Sequence, residues 1–345
     1  MAATDLLGAA RDGDEAAFGG LVEPHRRELR VHCYRMLGSV EDAEDLVQET
    51  FLRAWRHLAG FEGRSSLRAW LYRIATNACL DALGGRARRV LPPDLGPPSG
   101  PNVDLPPVTD VGWLQPFPDR LLEPAAPAEA EPGAAVVANE TVELAFLAAL
   151  QHLSPAQRAV LILRDVAGFP AKEAAAQLDL SVPAANSALH RARATLRAQL
   201  PERRSEWRPP AAPSEEERAV VRRYMDALER ADLEAIAGLL AEDVSSSMPP
   251  LPVWFRGRDS VLAALAASWD PDGPVYVGRF RAVAVGANRQ PAGALYTRLP
   301  GDAEYRPFAI GVLRIEDGVI TETVAFHDVG LFPIFGLPAS LPPVS

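Results

Sequence analysis

Three sets of side chains in this sequence stand at spacings that could do chemistry. Arg73, Asn77 and Asp81 recur every fourth residue, which on a helix is one polar face. Just ahead of them runs Ala59-Gly60-Phe61-Glu62-Gly63-Arg64-Ser65, a short glycine-containing loop with one aromatic and one arginine. The aromatic of that loop reads as exposed, and the face as polar helix surface. In the second set, Ser181, Ala184, Asn186, Ser187, His190, Arg191 and Arg193 lie on or near the outer side of one helical stretch. Asparagine can pair bidentately with adenine, and arginine with guanine or phosphate; His190 reads equally well as an ordinary surface histidine. The third set is Asp45, Glu49 and Arg53, with Glu49 and Arg53 one turn apart. On periodicity alone it reads as the solvated face of an amphipathic helix.

These sets need helices to hold them. Ser39 followed by Asp42 has the form of a capping box, opening a helix near residue 40. Ala43, Leu46, Val47, Phe51, Ala54, Trp55 and Leu58 then mark one apolar face. A second helix begins near Ser66, with Leu67, Trp70, Leu71, Ile74, Ala75, Ala78 and Ala82 as its buried stripe. Arg86, Arg88 and Arg89 close this block with a basic tail suited to phosphates. Further on, Ser154 and Pro155 open a helix that Gly168 ends. A short helix follows over Phe169 to Leu178, then a turn at Asp179-Leu180, then a helix capped by Ser181 with Pro183 in its first turn. Ala185, Leu189, Ala192 and Leu196 form its inner stripe. Helix, tight turn and helix with a polar outer face make a helix-turn-helix.

The chain has 345 residues, 48% hydrophobic and 23% charged, so two or three domains are expected. No apolar run approaches the roughly 18–20 residues that span a bilayer, and no basic stretch with an apolar block opens the chain, so no membrane or secretory role is expected. Cys33 and Cys79 read as reduced core thiols of a cytoplasmic protein; no metal or cofactor is expected. The net charge of −10 argues against a generic nucleic-acid binder, but it is unevenly spread. Residues 1–90 are neutral and residues 138–208 carry +2, whereas residues 91–137 and the stretch from 209 onward carry −6 each. Any DNA contact belongs to the first and third segments. Twelve of the 32 prolines fall in residues 91–137, which reads as an extended linker. Its Trp113, Leu114, Phe117, Leu121 and Leu122 are more apolar than a plain spacer needs.

Asp42-Ala43-Glu44-Asp45-Leu46-Val47-Gln48-Glu49-Thr50-Phe51-Leu52-Arg53-Ala54-Trp55, with Leu67-Arg68-Ala69-Trp70-Leu71-Tyr72-Arg73-Ile74-Ala75-Thr76-Asn77, resembles region 2 of the sigma-70 family, extracytoplasmic-function (ECF) group. Leu153-Ser154-Pro155-Ala156-Gln157-Arg158 and Leu189-His190-Arg191-Ala192-Arg193-Ala194-Thr195-Leu196 resemble region 4. The resemblance implies a transcription initiation factor whose partners are core RNA polymerase and promoter DNA. Asp45, Glu49 and Arg53 would dock on the clamp helices of the polymerase β′ subunit, and region 4 would meet the β flap. Phe61, Arg64, Arg73, Asn77 and Asp81 would bind the −10 element, and the Ser181–Arg193 set the −35 element. Two departures stand out: Asp179 occupies a turn position where glycine is frequent, and the recognition helix is rich in alanine.

Beyond Arg208–Pro213 the character changes. Arg218 to Leu228, Leu233 to Leu240 and Val261 to Trp269 read as helices. Val275 to Val285, Gly293 to Leu299, Pro307 to Ile315 and Val319 to Phe326 read as strands of an antiparallel meander, with a hairpin turn at Asp317-Gly318. Tyr224-Met225-Asp226-Ala227-Leu228, Phe255-Arg256-Gly257-Arg258 and the last hairpin resemble a SnoaL-like domain of the nuclear-transport-factor-two-like fold. That fold encloses a pocket and in some members supports catalysis by Asp and His pairs. Asp243, His327 and Asp328 are candidates for such a pair, and Trp254, Trp269, His327 and Asp328 for the walls of a small-molecule pocket. The apolar tail from Phe326 to Pro338 either packs over the sheet or docks elsewhere.

The expected architecture is therefore multidomain: two all-α sigma domains (a region 2 helical bundle over 1–90 and a region 4 helix-turn-helix over 138–208), a linker over 91–137, and an α+β SnoaL-like domain over 214–345. The whole is similar to the SigJ/SigG-like group of ECF sigma factors, and Trp113-Leu114-Gln115-Pro116-Phe117-Pro118-Asp119 resembles that group's tryptophan-proline linker motif. This implies regulation in cis by the C-terminal extension in place of a separate anti-sigma protein. Two other readings stay open: an enzyme carrying a DNA-binding fusion, and a helix-turn-helix repressor with a ligand domain, which leaves Trp55, Trp70 and Asn77 unexplained.

Overall fold

The structure, a computed structural model, describes residues 3–63, 65–100, 111–122, 142–200 and 213–343. Arg64 and the segment boundaries near 137 and 208 lie outside them. The chain forms two compact units, one of Met1–Arg89 with Leu121–Pro209, the other of Val90–Arg120 with Pro210–Ser345.

The first unit is all helix: α1 (Ala3–Arg11), α2 (Glu15–Val22), α3 (Arg26–Leu37), α4 (Val40–His57), α5 (Leu67–Leu83), α6 (Leu144–Gln151), α7 (Pro155–Leu161), α8 (Ala171–Gln177) and α9 (Val182–Gln199). The starts follow the caps read from the sequence. Ser39 accepts from the Asp42 N–H, Ser66 from Ala69, Ser154 from Gln157 and Ser181 from Ala184. Ser154 and Gln157 complete a capping box, whereas the Asp42 carboxylate takes hydrogen bonds from Arg86 and Arg89. The cap at α7 therefore has both halves, and Asp42 serves to hold the basic tail against α4. After α7 the chain runs through a π-helical turn, Ile162–Val166, and Gly168 leaves it at positive φ.

Two arginines join the first helical block to the second inside this unit. Arg68 on α5 donates to Glu28 on α3 at 2.7 Å and lies over the rings of Tyr72 and Phe169 at 4.7 and 4.8 Å. Arg158 on α7 is buried; it donates to the Met36 carbonyl at the end of α3 and to Gln151 Oε1 at 2.9 Å. Burial pushes its guanidinium down to about 10. Cys33 and Cys79 are free, buried thiols.

The second unit is α+β. It holds α10 (Glu215–Glu229), α11 (Leu233–Ala237), β1 (Leu240–Ser247), β2 (Trp254–Arg256), α12 (Arg258–Trp269), β3 (Arg279–Ala287), β4 (Gln290–Arg298), β5 (Arg306–Glu316), β6 (Val319–Phe326) and α13 (Leu331–Ile334). The sheet order is β2-β1-β6-β5-β4-β3. β1 pairs parallel with β6, so the sheet is mixed rather than a pure antiparallel meander. β1 and β2 were not expected: Leu240-Ala-Glu-Asp-Val-Ser-Ser-Ser has one β-branched residue and no strict alternation, so its pairing comes from neighbours rather than from propensity. Asp317 and Gly318 take the left-handed conformation of a tight hairpin turn.

The two faces of this sheet are covered differently. α10 and α12 pack with one face around Val220, Leu228, Val244, Phe255, Val261, Phe280 and Leu313. The apolar tail packs in its own unit: Phe332 stands edge-on to Tyr296 at 5.1 Å, and the Tyr296 hydroxyl donates to the Pro338 carbonyl at 2.8 Å. Residues 90–100 and 111–120, expected as an extended linker, are bonded to this unit as well. Val90 bridges Trp113, Pro118 bridges Ala287, and Arg120 donates to the Ile334 carbonyl. Trp113, Leu114 and Phe117 are buried, which accounts for their apolar character.

Candidate nucleic-acid interface and C-terminal cavity

α9 carries the second polar set. Ala185, Leu189, Ala192 and Leu196 are buried, and Ala184, Asn186, Ser187, His190, Arg191 and Arg193 are exposed along the opposite side. Ser181 spends its hydroxyl as acceptor on the cap. Arg193 is held by Asp165 through two hydrogen bonds, at 2.8 and 2.6 Å, whereas Arg191 stands without such a carboxylate clamp among the described residues. Asp179 sits at φ 53°, the left-handed conformation that a glycine would supply. The α8–α9 pair is thus a helix-turn-helix whose second helix offers amide, hydroxyl, imidazole and guanidinium groups to solvent.

On α5, Arg73 and Asp81 are exposed and Asn77 is half-buried. Arg73 Nη2 lies 3.2 Å from Asp179 Oδ1, so the first polar set touches the turn of the helix-turn-helix. Phe61 differs from its expected role. It is buried, stacks on Trp70 at 4.8 Å between centroids, and its carbonyl is taken by Arg11. Its ring is a packing element in this arrangement and is not offered to a base. Arg64 lies outside the described residues. Arg86 and Arg89 are paired with Asp42, and Arg88 contacts His152, so the basic tail is engaged within the unit.

On α4, Arg53 joins the third set to the first. Its Nε donates to Glu49 at 2.7 Å and its Nη1 to Asp81 at 3.3 Å. Asp45 is exposed on the same helix. Sequence reasoning missed Leu52, which is 51% exposed beside Glu49 and Arg53. A leucine off the apolar stripe was the available signal.

The second unit contains a cavity of about 330 Å³ between the sheet and helices α10 and α12. Its walls include Tyr224, Met248, Phe255, Leu265, Leu295 and His327. The sheet face beneath it carries small residues: Gly293, Gly311 and Ala325 are register neighbours across β4, β5 and β6, with room above Gly311 and Met225 packed onto Gly293. Of the four expected pocket residues, only His327 lines it. Trp254 donates from Nε1 to the Gly96 carbonyl, Trp269 packs edge-on behind Phe280, and Asp328 accepts from the Gly330 N–H. Asp243 is exposed on β1. His327 packs edge-on to Phe308 at 4.8 Å, and burial pushes its imidazole down to about 4. Burial raises the Tyr224 phenol to about 12. No aspartate, glutamate, lysine or arginine is among the lining residues. Among the described residues no cluster of His, Cys, Asp and Glu could hold a metal ion, and no helix is long and apolar enough to cross a membrane.

Comparison with known proteins matches three families in order along the chain: sigma-70 region 2 over residues 21–89, sigma-70 region 4 over 143–196 and a SnoaL-like domain over 221–323. The chain is 44% identical over 332 residues to the ECF RNA polymerase sigma factor SigG of Mycobacterium tuberculosis, covering 96% of this chain and 86% of that one. It is 31% identical over 310 residues to SigJ of the same organism, covering 86% and 88%. The crystal structure of M. tuberculosis SigJ matches with a TM-score of 0.56 at 24% identity, over 91% of this chain and 97% of that chain, a likeness of fold. The helix-turn-helix, the helical block before it and the α+β domain behind it thus find their counterparts in one line of proteins, and the chain belongs to the ECF sigma factors of RNA polymerase that carry a C-terminal SnoaL-like domain.

Proposed function

We propose that this sigma factor binds core RNA polymerase through the α4 face of Asp45, Glu49, Leu52 and Arg53, reads the −35 element with α9, and meets the −10 element with Arg73, Asn77 and Asp81. The observation that carries the reading is α9, whose polar residues Asn186, Ser187, His190 and Arg191 share one exposed side while its apolar residues are buried. Base edges and phosphates in a major groove present the partners those side chains need. The near-neutral charge of the helical unit means that polymerase supplies much of the DNA affinity. The protein would work where polymerase and chromosome are, in the cytoplasm, and would not be an enzyme.

The C-terminal domain would regulate in cis. What supports this is the attachment of residues 90–100 and 111–120, which lie between regions 2 and 4, to the C-terminal unit. A domain that holds the connector between two promoter-reading parts can alter their effective concentration at paired elements. Reconstituted transcription tests both halves. Core polymerase with the full chain should start transcripts at a selected promoter, and a chain ending near Glu206 should differ in promoter use. If neither form binds core polymerase, the sigma reading is wrong; if both forms transcribe alike, regulation in cis is wrong.

A further inference from the structure

We infer that the cavity of the SnoaL-like domain binds an uncharged, largely apolar small molecule carrying a single hydrogen-bonding group, which would sit against Tyr224 and His327. This deepens the regulatory reading of that domain by naming the chemistry of its signal. The volume, about 330 Å³, falls in the range of roughly 300–1,000 Å³ typical of small-molecule sites. The walls are methionine, leucine, valine, alanine and phenylalanine, with no charged side chain among them. An ionised ligand would lose its hydration with no charged side chain on the wall to pair with.

The few polar groups on the wall divide into satisfied and unsatisfied. Thr323 Oγ1 donates to Ser246 Oγ at 2.8 Å, and Ser268 Oγ to the Leu265 carbonyl at 2.8 Å. His327 Nε2 is buried without a hydrogen-bond partner, and Tyr224 lines the same wall. A neutral imidazole nitrogen and a phenol on one wall can each donate to or accept from a hydroxyl or carbonyl of a ligand. The same wall argues against turnover: Asp243 and Asp328, the carboxylates that could act with His327, are not part of it. The domain would hold its ligand without converting it.

The test uses the full chain and the neutral dye N-phenyl-1-naphthylamine, followed by fluorescence. The dye should bind saturably, one molecule per chain. 1-Naphthol should displace it better than naphthalene, and the anion 1-naphthalenesulfonate at least about tenfold worse than 1-naphthol, a gap of about 1.4 kcal/mol. Gly311→Leu should weaken dye binding about tenfold or more, since a Cβ there meets nothing closer than the Gly293 carbonyl at 3.7 Å and a larger side chain grows into the cavity. Ala264→Phe fills the space from α12 instead and serves where Gly311→Leu fails to fold. Tyr224→Phe with His327→Phe should erase the preference for naphthol over naphthalene. Absence of dye binding, unchanged binding in both filled variants, or equal competition by the sulfonate overturns the inference. A chain that starts transcripts but binds no dye refutes the cavity assignment alone, and one that binds dye but not polymerase refutes the sigma reading alone.

Discussion

Phe117 and Asn288 hold each other by two reciprocal hydrogen bonds. The Phe117 N–H donates to Asn288 Oδ1 at 2.8 Å, and the Asn288 N–H donates to the Phe117 carbonyl at 2.8 Å. Asn288 is fully buried at φ 56° in the β3–β4 turn, and the next residue, Arg289, gives its N–H to Asp119 Oδ1 at 2.8 Å. The turn of one hairpin thereby fastens part of the connector between sigma regions 2 and 4.

Asn288→Gly keeps the left-handed turn and removes the side-chain acceptor. It should cost about 1–3 kcal/mol, the penalty for leaving the buried Phe117 N–H unpaired. Hydrogen exchange over residues 111–118 should quicken while exchange in α4 and α5 stays as in the parent. Unchanged exchange at Phe117 would show that this bond does not hold the connector.

Arg191 and Arg193 should separate in DNA binding. Arg191→Ala removes a free cation and should lower the slope of log affinity against log salt by about 1. Arg193 is already clamped by Asp165, so Arg193→Ala should change the slope less. The measurement is promoter affinity of the holoenzyme across salt concentrations, and equal slopes for the two variants would contradict the prediction.

Arg158→Met should destabilise the helical unit by about 1–3 kcal/mol in denaturant unfolding. It leaves the Met36 carbonyl and Gln151 Oε1 without their donor, although it removes a buried charge at the same time. A variant as stable as the parent would mean that the desolvation cost of the guanidinium cancels its hydrogen bonds.

Stability should fall in mild acid. Burial, with Arg35 adding to it and Glu28 opposing, pushes His32 down to about 3, and burial pushes His327 down to about 4. Both are neutral in the folded chain and take up a proton on unfolding below about 6.5. Their contribution is complete above about pH 6.5. It shrinks as pH drops toward 4 for His327 and toward 3 for His32, by at most about 1.4 kcal/mol per pH unit for each. Urea unfolding at stepped pH checks this. His327→Phe should flatten the profile between about pH 4 and 6.5, and an unaltered profile would show that His327 is not held neutral.

Gly311→Ala should stabilise the C-terminal domain by about 0.5–1 kcal/mol, because alanine loses less backbone entropy on folding and its Cβ has room. Gly293→Ala should gain less or lose, since its Cβ would stand 2.8 Å from Met225 Sδ. Thermal melts that rank Gly293→Ala above Gly311→Ala would refute the close approach of Met225.

The helices of the first unit were readable because their signals are local. Ser39, Ser66, Ser154 and Ser181 each cap the helix expected of them. The inner stripe of α9 was equally plain. What sequence could not reveal was non-local. Phe61 looked like a free aromatic in a polar loop, and only packing against Trp70 makes it buried. The proline-rich segment looked like a spacer, and its seat on the second unit depends on Asn288 and Trp254, more than 140 residues away. The cavity misled most. Tryptophans drew attention as walls, but the floor of the cavity is a row of small residues, Gly293, Gly311 and Ala325, and these become neighbours only once the strand register is known.

That row of small residues also sets how the domain can change. Its chamber is gauged by the backbone of three paired strands, not by a loop that closes over it. A larger residue at Gly311, or glycine at Ala325, would resize the space by about a methyl group while the ladder keeps its register. Descendants of one sheet could therefore take differently sized ligands, each reached by a single codon, with the helices of the two sigma regions left untouched.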